Sequence, residues 1–276
     1  MNSEMLSYIK KDSPIHKLTG ATKLIAFLLW TIVAMITYDT RLLVAMLVIG
    51  IVSFKISKIE FKEISFVLYF IMAFLMLNAI MIFVFSPEQG VSIYGTRTVL
   101  LHLVGPYTIT VEQLFYELNV ILKYFATIPM ALLFILTTDP SEFAASLNKI
   151  GVNYKAAYSI SIALRYIPDI QKDYKDIAFA QQARGIDLSK KEKFFKRVKN
   201  AVSILMPLIF SSLERIDKIS IAMELRAFGT KKKRTWYKKK DFTKSDYIVI
   251  VSFILLLVLA LILVKIDGGR FYNPFI

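Results

Sequence analysis

The 276-residue chain contains no cysteine. That excludes disulfides, thiolate-held metals and a cysteine nucleophile. Histidine is scarce as well. His16 and His102 stand far apart, and neither has a metal-ligand neighbour at useful spacing, so a histidine-based metal or catalytic centre is not expected. No G-x-x-x-x-G-K-[ST] run occurs, so the chain does not itself hold ATP in a P-loop. Three apolar runs, Leu24–Tyr38, Leu42–Phe54 and Ile64–Phe85, lack charged residues altogether, and Lys123 alone lies near a fourth. An intramembrane enzyme needs ionisable groups facing a cavity, so that reading is disfavoured. Asp139 and Glu142 read as helix-start residues rather than as an acid/base pair. The stretch Met1–Thr19 carries Lys10, Lys11 and Lys17 with no apolar core before them. It is not read as a cleavable signal peptide, and the first apolar run is expected to act as the insertion signal.

What the chain does contain is apolar side chain in blocks. It is 56% hydrophobic and 20% charged, with a mean hydropathy of +0.55. This places it among multi-spanning membrane proteins. The first segment, Leu24–Tyr38, has Trp30 and Tyr38 as interfacial anchors, and Tyr38–Arg41 is a tight connection. The second, Leu42–Phe54, is short for a span of roughly 20 residues and must borrow flanking residues. The third, Ile64–Phe85, is long enough to cross with some tilt. Ser86–Glu117 breaks the pattern with Pro87, Gly90, Gly95, Gly105 and Pro106. Alternation in Val91–Tyr94 and in Tyr107–Thr110 predicts short strands or a hairpin in a partly ordered loop. Leu118–Leu136, with Pro129 inside, is the fourth segment, and Tyr247–Val264 is the fifth.

The net charge of +14 is unevenly placed. Four Lys/Arg precede or include Lys23, three lie in loop 55–63, and 23 of the 35 fall in block 139–246. Loops 39–41 and 86–117 carry one arginine each. Short-loop asymmetry of this kind puts the N-terminus, loop 55–63 and block 139–246 in the cytoplasm, with the C-terminus outside. The basic excess is then mostly topogenic, and nucleic acid is not an expected partner. Lys231–Arg234 and Lys238–Lys240 flank Trp236-Tyr237, a pattern that suits anionic lipid headgroups. The expected architecture is an all-α integral membrane protein. It has residues 1–138 as tail and helices one to four, 139–246 as a cytoplasmic module of long amphipathic helices, and 247–276 as the last helix and an external tail.

Within the block, Asp139-Pro140 opens a short helix that ends near Lys149, before Gly151. Periodicity predicts a helix over 154–183 and another over 194–226, the latter kinked at Pro207. Each ends in a similar pattern: Gln182-Ala183-Arg184-Gly185-Ile186-Asp187 and Glu224-Leu225-Arg226-Ala227-Phe228-Gly229. An arginine at a helix end beside small residues can enter a narrow groove and pair its planar fork with a carboxylate or with carbonyls. Two such ends suggest a protein that grips two similar partners. The competing reading is an ordinary C-terminal cation beside a glycine cap, favoured by the helix dipole.

Ser13-Pro14-Ile15-His16-Lys17-Leu18 with Thr22-Lys23-Leu24 resembles the N-terminal signature of the T component of energy-coupling factor transporters, the CbiQ family. Thr137-Thr138-Asp139-Pro140, Leu147–Gly151 and Ala163-Leu164-Arg165-Tyr166-Ile167-Pro168 resemble it too, and the two arginine patterns fall where that family has its paired motifs. The resemblance implies a non-catalytic scaffold in a bacterial cell membrane. Such a scaffold joins two ABC-type ATPases, which bind the ATP, to a small S component that holds a vitamin or metal ion; the chain itself would need no cofactor. It also implies that Ala183, Arg184 and Gly185 dock one ATPase and that Leu225, Arg226 and Ala227 dock the other, the second set departing from the Ala-Arg-Gly form. An apolar face including Ile160, Leu164, Val202, Leu205 and Ile209 would meet the S component. The alternative is a conventional ABC importer permease with its own pathway. Glu142-Phe143-Ala144-Ala145 to Gly151 loosely echoes the coupling segment of such permeases, but two long helices with two arginine ends fit it poorly.

Overall fold

A computed structural model describes residues 8–102, 107–186, 194–231, 235–236 and 240–275. Gly105, Pro106, Asp187, Lys232, Lys233, Arg234, Tyr237, Lys238 and Lys239, all singled out above, lie outside the described residues. Two compact units are present. One comprises the residues through Asp139 and those from Lys240 onward, and the other is Pro140–Lys239.

The first unit opens with a four-residue turn of helix, α1 (Pro14–Lys17), capped by the Ser13 hydroxyl. It is followed by α2 (Gly20–Ile36), α3 (Thr40–Ile56) and α4 (Phe61–Phe85). Each start has a side chain satisfying an otherwise orphaned backbone group. Thr19 accepts from Thr22 N–H, Asp39 accepts from Arg41 N–H, and Glu63 accepts from Glu60 N–H. Next come α5 (Gln89–Tyr94), a hairpin of β1 (Val99–His102) and β2 (Thr108–Thr110), α6 (Val111–Thr137) and, after the second unit, α10 (Lys244–Ile266). In the hairpin Val99 faces Thr110, Leu101 faces Ile109 and His102 faces Thr108, with a bulge between Val99 and Leu101.

Two expectations for residues 86–117 need correction. Val91–Tyr94 is helical, not a strand, and the first strand lies at Val99–His102. Gly90 and Gly95 explain the difference. The Gly90 N–H donates to Gln113 Oε1 at 2.8 Å, and Gly95 closes the helix at φ +73°, so the segment is pinned as one helical turn and a half. The fourth apolar helix also starts two turns before Leu118, at Val111, with Thr110 as its N-cap. Glu112, Gln113 and Glu117, which read as loop, therefore stand on the helix.

α6 is the axis of this unit, packing against α2, α3 and α5, while α10 packs on α2. The core is built from Trp30, Val33, Leu42, Met46, Ala126, Leu133 and their neighbours. Trp30, expected as an interfacial anchor, is instead buried in this core: its indole N–H donates to the Ala126 carbonyl at 3.0 Å, and Gly50 lets α3 approach Pro129 of α6. α4 and α10 bury few residues and expose large apolar side chains along their lengths. In a water-soluble fold that would be a liability, whereas in lipid it is the expected surface. Among the described residues, α4, α6 and α10 are long and apolar enough to cross a membrane, and α2 is apolar but shorter.

Polar groups tie the helix ends together. Asp246 takes the N–H of Thr19 on Oδ1 (2.9 Å) and the N–H and hydroxyl of Thr243 on Oδ2 (2.8 and 2.6 Å), joining the starts of α2 and α10. Buried Lys23 donates from Nζ to the Thr137 carbonyl at 2.7 Å, placing a cation at the C-terminal end of α6. At the other end of the unit the C-terminal tail packs back. Tyr38 stacks on Phe271, Arg41 pairs with both Asp39 and Asp267, and the Asn273 side-chain amide donates to the Tyr94 carbonyl.

Among the described residues the second unit has three helices: α7 (Pro140–Lys149), α8 (Tyr154–Ala183) and α9 (Phe194–Leu225). Buried Ala144, Ser146 and Ala157 let α7 and α8 meet closely. α8 and α9 run antiparallel. Gln181 donates to the Ser203 carbonyl near one end, Asp173 pairs with Arg215 at 2.6 Å, and the Phe228 ring meets Tyr154 and Tyr158 at the other end.

Candidate functional site

The two arginine patterns adopt one backbone geometry. α8 ends at Ala183, and Arg184 is the cap residue. The N–H of Gly185 returns to the Gln182 carbonyl, and that of Ile186 returns to the Gln181 carbonyl. At the end of α9 the N–H of Ala227 returns to Glu224 and that of Phe228 to Met223. These are the two crossing bonds of a Schellman ending. Ala183 and Leu225 thus share the last helical position, Arg184 and Arg226 share the cap, and Gly185 and Ala227 share the left-handed position, at φ +85° and +53°. Glycine occupies that conformation without strain, and alanine does not.

All six residues are exposed, Leu225 at 84%. Among the described residues neither arginine side chain pairs with an acid or bonds back to a helix carbonyl. Each therefore keeps its fork of donors available to a partner. Because α8 and α9 are antiparallel, the two forks sit at opposite ends of the pair. An α8 of 30 residues rises about 45 Å if straight. The bulk of Leu225 points to solvent, so the departure of the second pattern that alters the local backbone is Ala227.

The five residues considered for a second surface fall on α8 and α9. Val202, Leu205 and Ile209 lie three and four apart on one exposed stripe of α9, beside the buried Ile204 and Leu208. Val198, Leu213 and Ile216 extend that exposed stripe. On α8, Ile160 is exposed and Leu164 half-buried. The geometry therefore brings Val202, Leu205 and Ile209 together on one stripe and leaves Ile160 and Leu164 on the other helix.

Beside Arg226 lies a cleft of about 530 Å³ within the second unit. Its walls include Tyr158, Phe228 and Trp236, with Arg165 as a second guanidinium. Phe228 and Tyr158 rings are 4.8 Å apart, and the Trp236 indole N–H is held by Asn148 Oδ1 at 3.0 Å. No spacing in the sequence announces this cleft, because its residues come from the start of α7, α8, the end of α9 and the segment beyond.

The N-terminal signature also has a physical role. Ile9 N–H donates to the Leu136 carbonyl, and Lys11 reaches Glu63 and the Lys58 carbonyl. His16 Nε2 lies 2.9 Å from the Ile9 carbonyl and Nδ1 lies 2.7 Å from the Ser13 hydroxyl. A carbonyl only accepts, so Nε2 carries the proton and Nδ1 accepts from Ser13. Burial, reinforced by Lys23 and Lys11, lowers the His16 pKa below its ordinary value, against the bond to Ile9. Among the described residues no group of three acids or histidines is placed to hold a metal.

Apolar helices this long and this exposed to the outside define a multi-pass membrane protein. The model of the family CbiQ, described as cobalt transport protein, matches residues 11–237, and the chain belongs to that family. It is similar to proteins named energy-coupling factor transporter transmembrane protein EcfT. The one from Lactococcus lactis is 26% identical over 276 residues, covering 96% of this chain and 99% of the relative. That of Bacillus subtilis is 28% identical, covering 90% and 93%, and that of Streptococcus thermophilus is 30% identical, covering 90% and 94%. The chain is accordingly a non-catalytic transmembrane T component of an energy-coupling factor transporter.

Proposed function

We propose that this chain grips two cytosolic ABC-type ATPases through Arg184 and Arg226 and couples them to a small S component that holds a vitamin or metal ion. The observation that carries the reading is the shared cap geometry of the two unpaired arginines, at opposite ends of an antiparallel helix pair. One rigid element with two like ends suits two like partners. Ala183 and Gly185, and Leu225 and Ala227, flank the forks and leave them free to enter a groove. ATP is bound by the partners. Closure of the ATPases on nucleotide would move the two ends, and α8 and α9 would carry the motion. The apolar stripe with Val202, Leu205 and Ile209, together with Ile160 and Leu164 on α8, would meet the S component.

Five helices span the membrane in this reading: α2, α3, α4, α6 and α10. The N-terminus and residues 139–246 are cytoplasmic, and 86–117 and 267–276 are external, in line with the lysine and arginine distribution. Purification of the tagged chain from mild detergent should bring down ATPase subunits together with a small apolar membrane protein. Recovery of ATPases alone would favour a permease with its own pathway, and recovery of neither would contradict the scaffold.

A further inference from the structure

We infer that the Arg226 end carries a receptor cleft for a short acidic segment of the ATPase docked there, with Arg165 as its second binding residue; this rests on the docking reading above. Arg165 lies within the Ala163–Pro168 signature and has no part in the two arginine ends. It lines the same cleft as Arg226. Both guanidiniums are exposed and neither makes an ion pair among the described residues. Among the described residues no carboxylate lines the cleft. Two like charges on one concavity repel, and an entering carboxylate relieves the repulsion and can bond both forks. The remaining walls are aromatic and aliphatic, Tyr158, Phe228 and Trp236 with Ile219 and Met223, and Ser161 is a small polar group among them. Rings beside guanidiniums fit an acidic residue whose neighbour is apolar or aromatic. The volume, about 530 Å³, accommodates a pair of side chains and falls within the range of ligand sites, about 300–1,000 Å³.

A protein occupant is favoured over a lipid headgroup because Arg226 belongs both to the cleft and to the helix end that docks the partner. A side chain bonding the Arg226 fork from the cleft side meets Arg165. Arg184 lines neither this cleft nor the one next to it. The two ends therefore differ: Arg184 reaches into its partner, whereas the Arg226 end also receives something from its own.

The test uses the complete transporter, with ATPase retention measured as the ratio of ATPase to tagged chain after washing. In an Arg184→Ala background only the Arg226 end holds. Adding Arg165→Gln there should lower retention about tenfold, the scale of losing one hydrogen bond to a charged group. Arg165→Lys should fall between. Unchanged retention with Arg165→Gln overturns the cleft. The control is Arg184→Ala with Arg226→Ala. If ATPases remain on that variant, the docking reading itself fails; if they are lost there yet Arg165→Gln has no effect, only the cleft fails. A second arm does not depend on Arg165. Because the chain has no cysteine, Thr235→Cys on the cleft rim can carry a single short photo-cross-linker. An adduct with an ATPase subunit is expected, and an adduct with lipid only, or none, overturns the assignment.

Discussion

Ala227 holds a left-handed conformation that costs an L-residue roughly 1–2 kcal/mol, and it does so in order to keep Arg226 at the cap. Ala227→Gly removes that cost but adds unfolded-chain freedom, so a net gain of about 0.5–1 kcal/mol in stability is expected. Gly185→Ala is the mirror test. A Cβ there meets nothing within 4 Å, so the loss of about 1 kcal/mol would be purely a backbone effect. Thermal unfolding of both variants in detergent checks the pair. The sequence displays the arginines and their small neighbours, but only the backbone bonds show that the two patterns share one register.

His16 supplies a pH dependence of definite sign. Its folded pKa lies below the ordinary 6.5, with burial as the main cause. Between the lowered value and 6.5 the unfolded chain binds a proton that the folded chain does not. Stability is therefore fully present above about pH 6.5 and declines as the pH falls toward the folded pKa. His16→Asn should flatten melting temperature against pH in that window. An equally steep dependence in the variant would assign it to another group.

At the scale of elements, the apolar runs and the long amphipathic helices were legible because length and period carry them. α8 was expected over 154–183 and runs over those residues. α5 was not legible: six residues cannot display a period of 3.6, and Val91-Ser92-Ile93-Tyr94 alternates as a strand would. The first turns of α6 were hidden for a different reason. Glu112, Gln113 and Asn119 are buried polar residues whose partners lie far along the chain. Glu112 accepts from Thr98 N–H at 2.9 and 3.0 Å, Gln113 accepts from Gly90 N–H, and Asn119 accepts from the Thr40 hydroxyl at 2.7 Å. A sequence shows such residues as breaks in an apolar run, and only tertiary contacts turn them into helix. Gly90 is the most exacting contact. A Cβ there would collide with the Glu112 carbonyl oxygen, which is backbone and cannot swing aside. Gly90→Ala should destabilise by about 1–3 kcal/mol and loosen α5 from α6. Faster protease cleavage between Ser86 and Thr98 would register it; an unchanged cleavage rate would mean that α5 is not held by this contact.

For the whole molecule, the account makes two demands, one on orientation and one on coupling. Single cysteines at Thr98 and Lys231 should label from outside and from inside the cell respectively; labelling of both from one side contradicts the five-span arrangement. The coupling demand is the more direct. Losing one partner of a desolvated charged contact costs about 2–5 kcal/mol. Arg184→Ala and Arg226→Ala singly should weaken the complex modestly, since the second anchor keeps the partners at high effective concentration. Arg→Lys should restore only part, because an ammonium lacks the planar fork. The deciding measurement is ATPase recovery with the purified double variant Arg184→Ala/Arg226→Ala, in a preparation that elutes as a single folded species. The account predicts that the ATPases are stripped away and coupled transport is lost; normal ATPase recovery, with a stability loss of only about 1 kcal/mol from the helix-end charges, would contradict it.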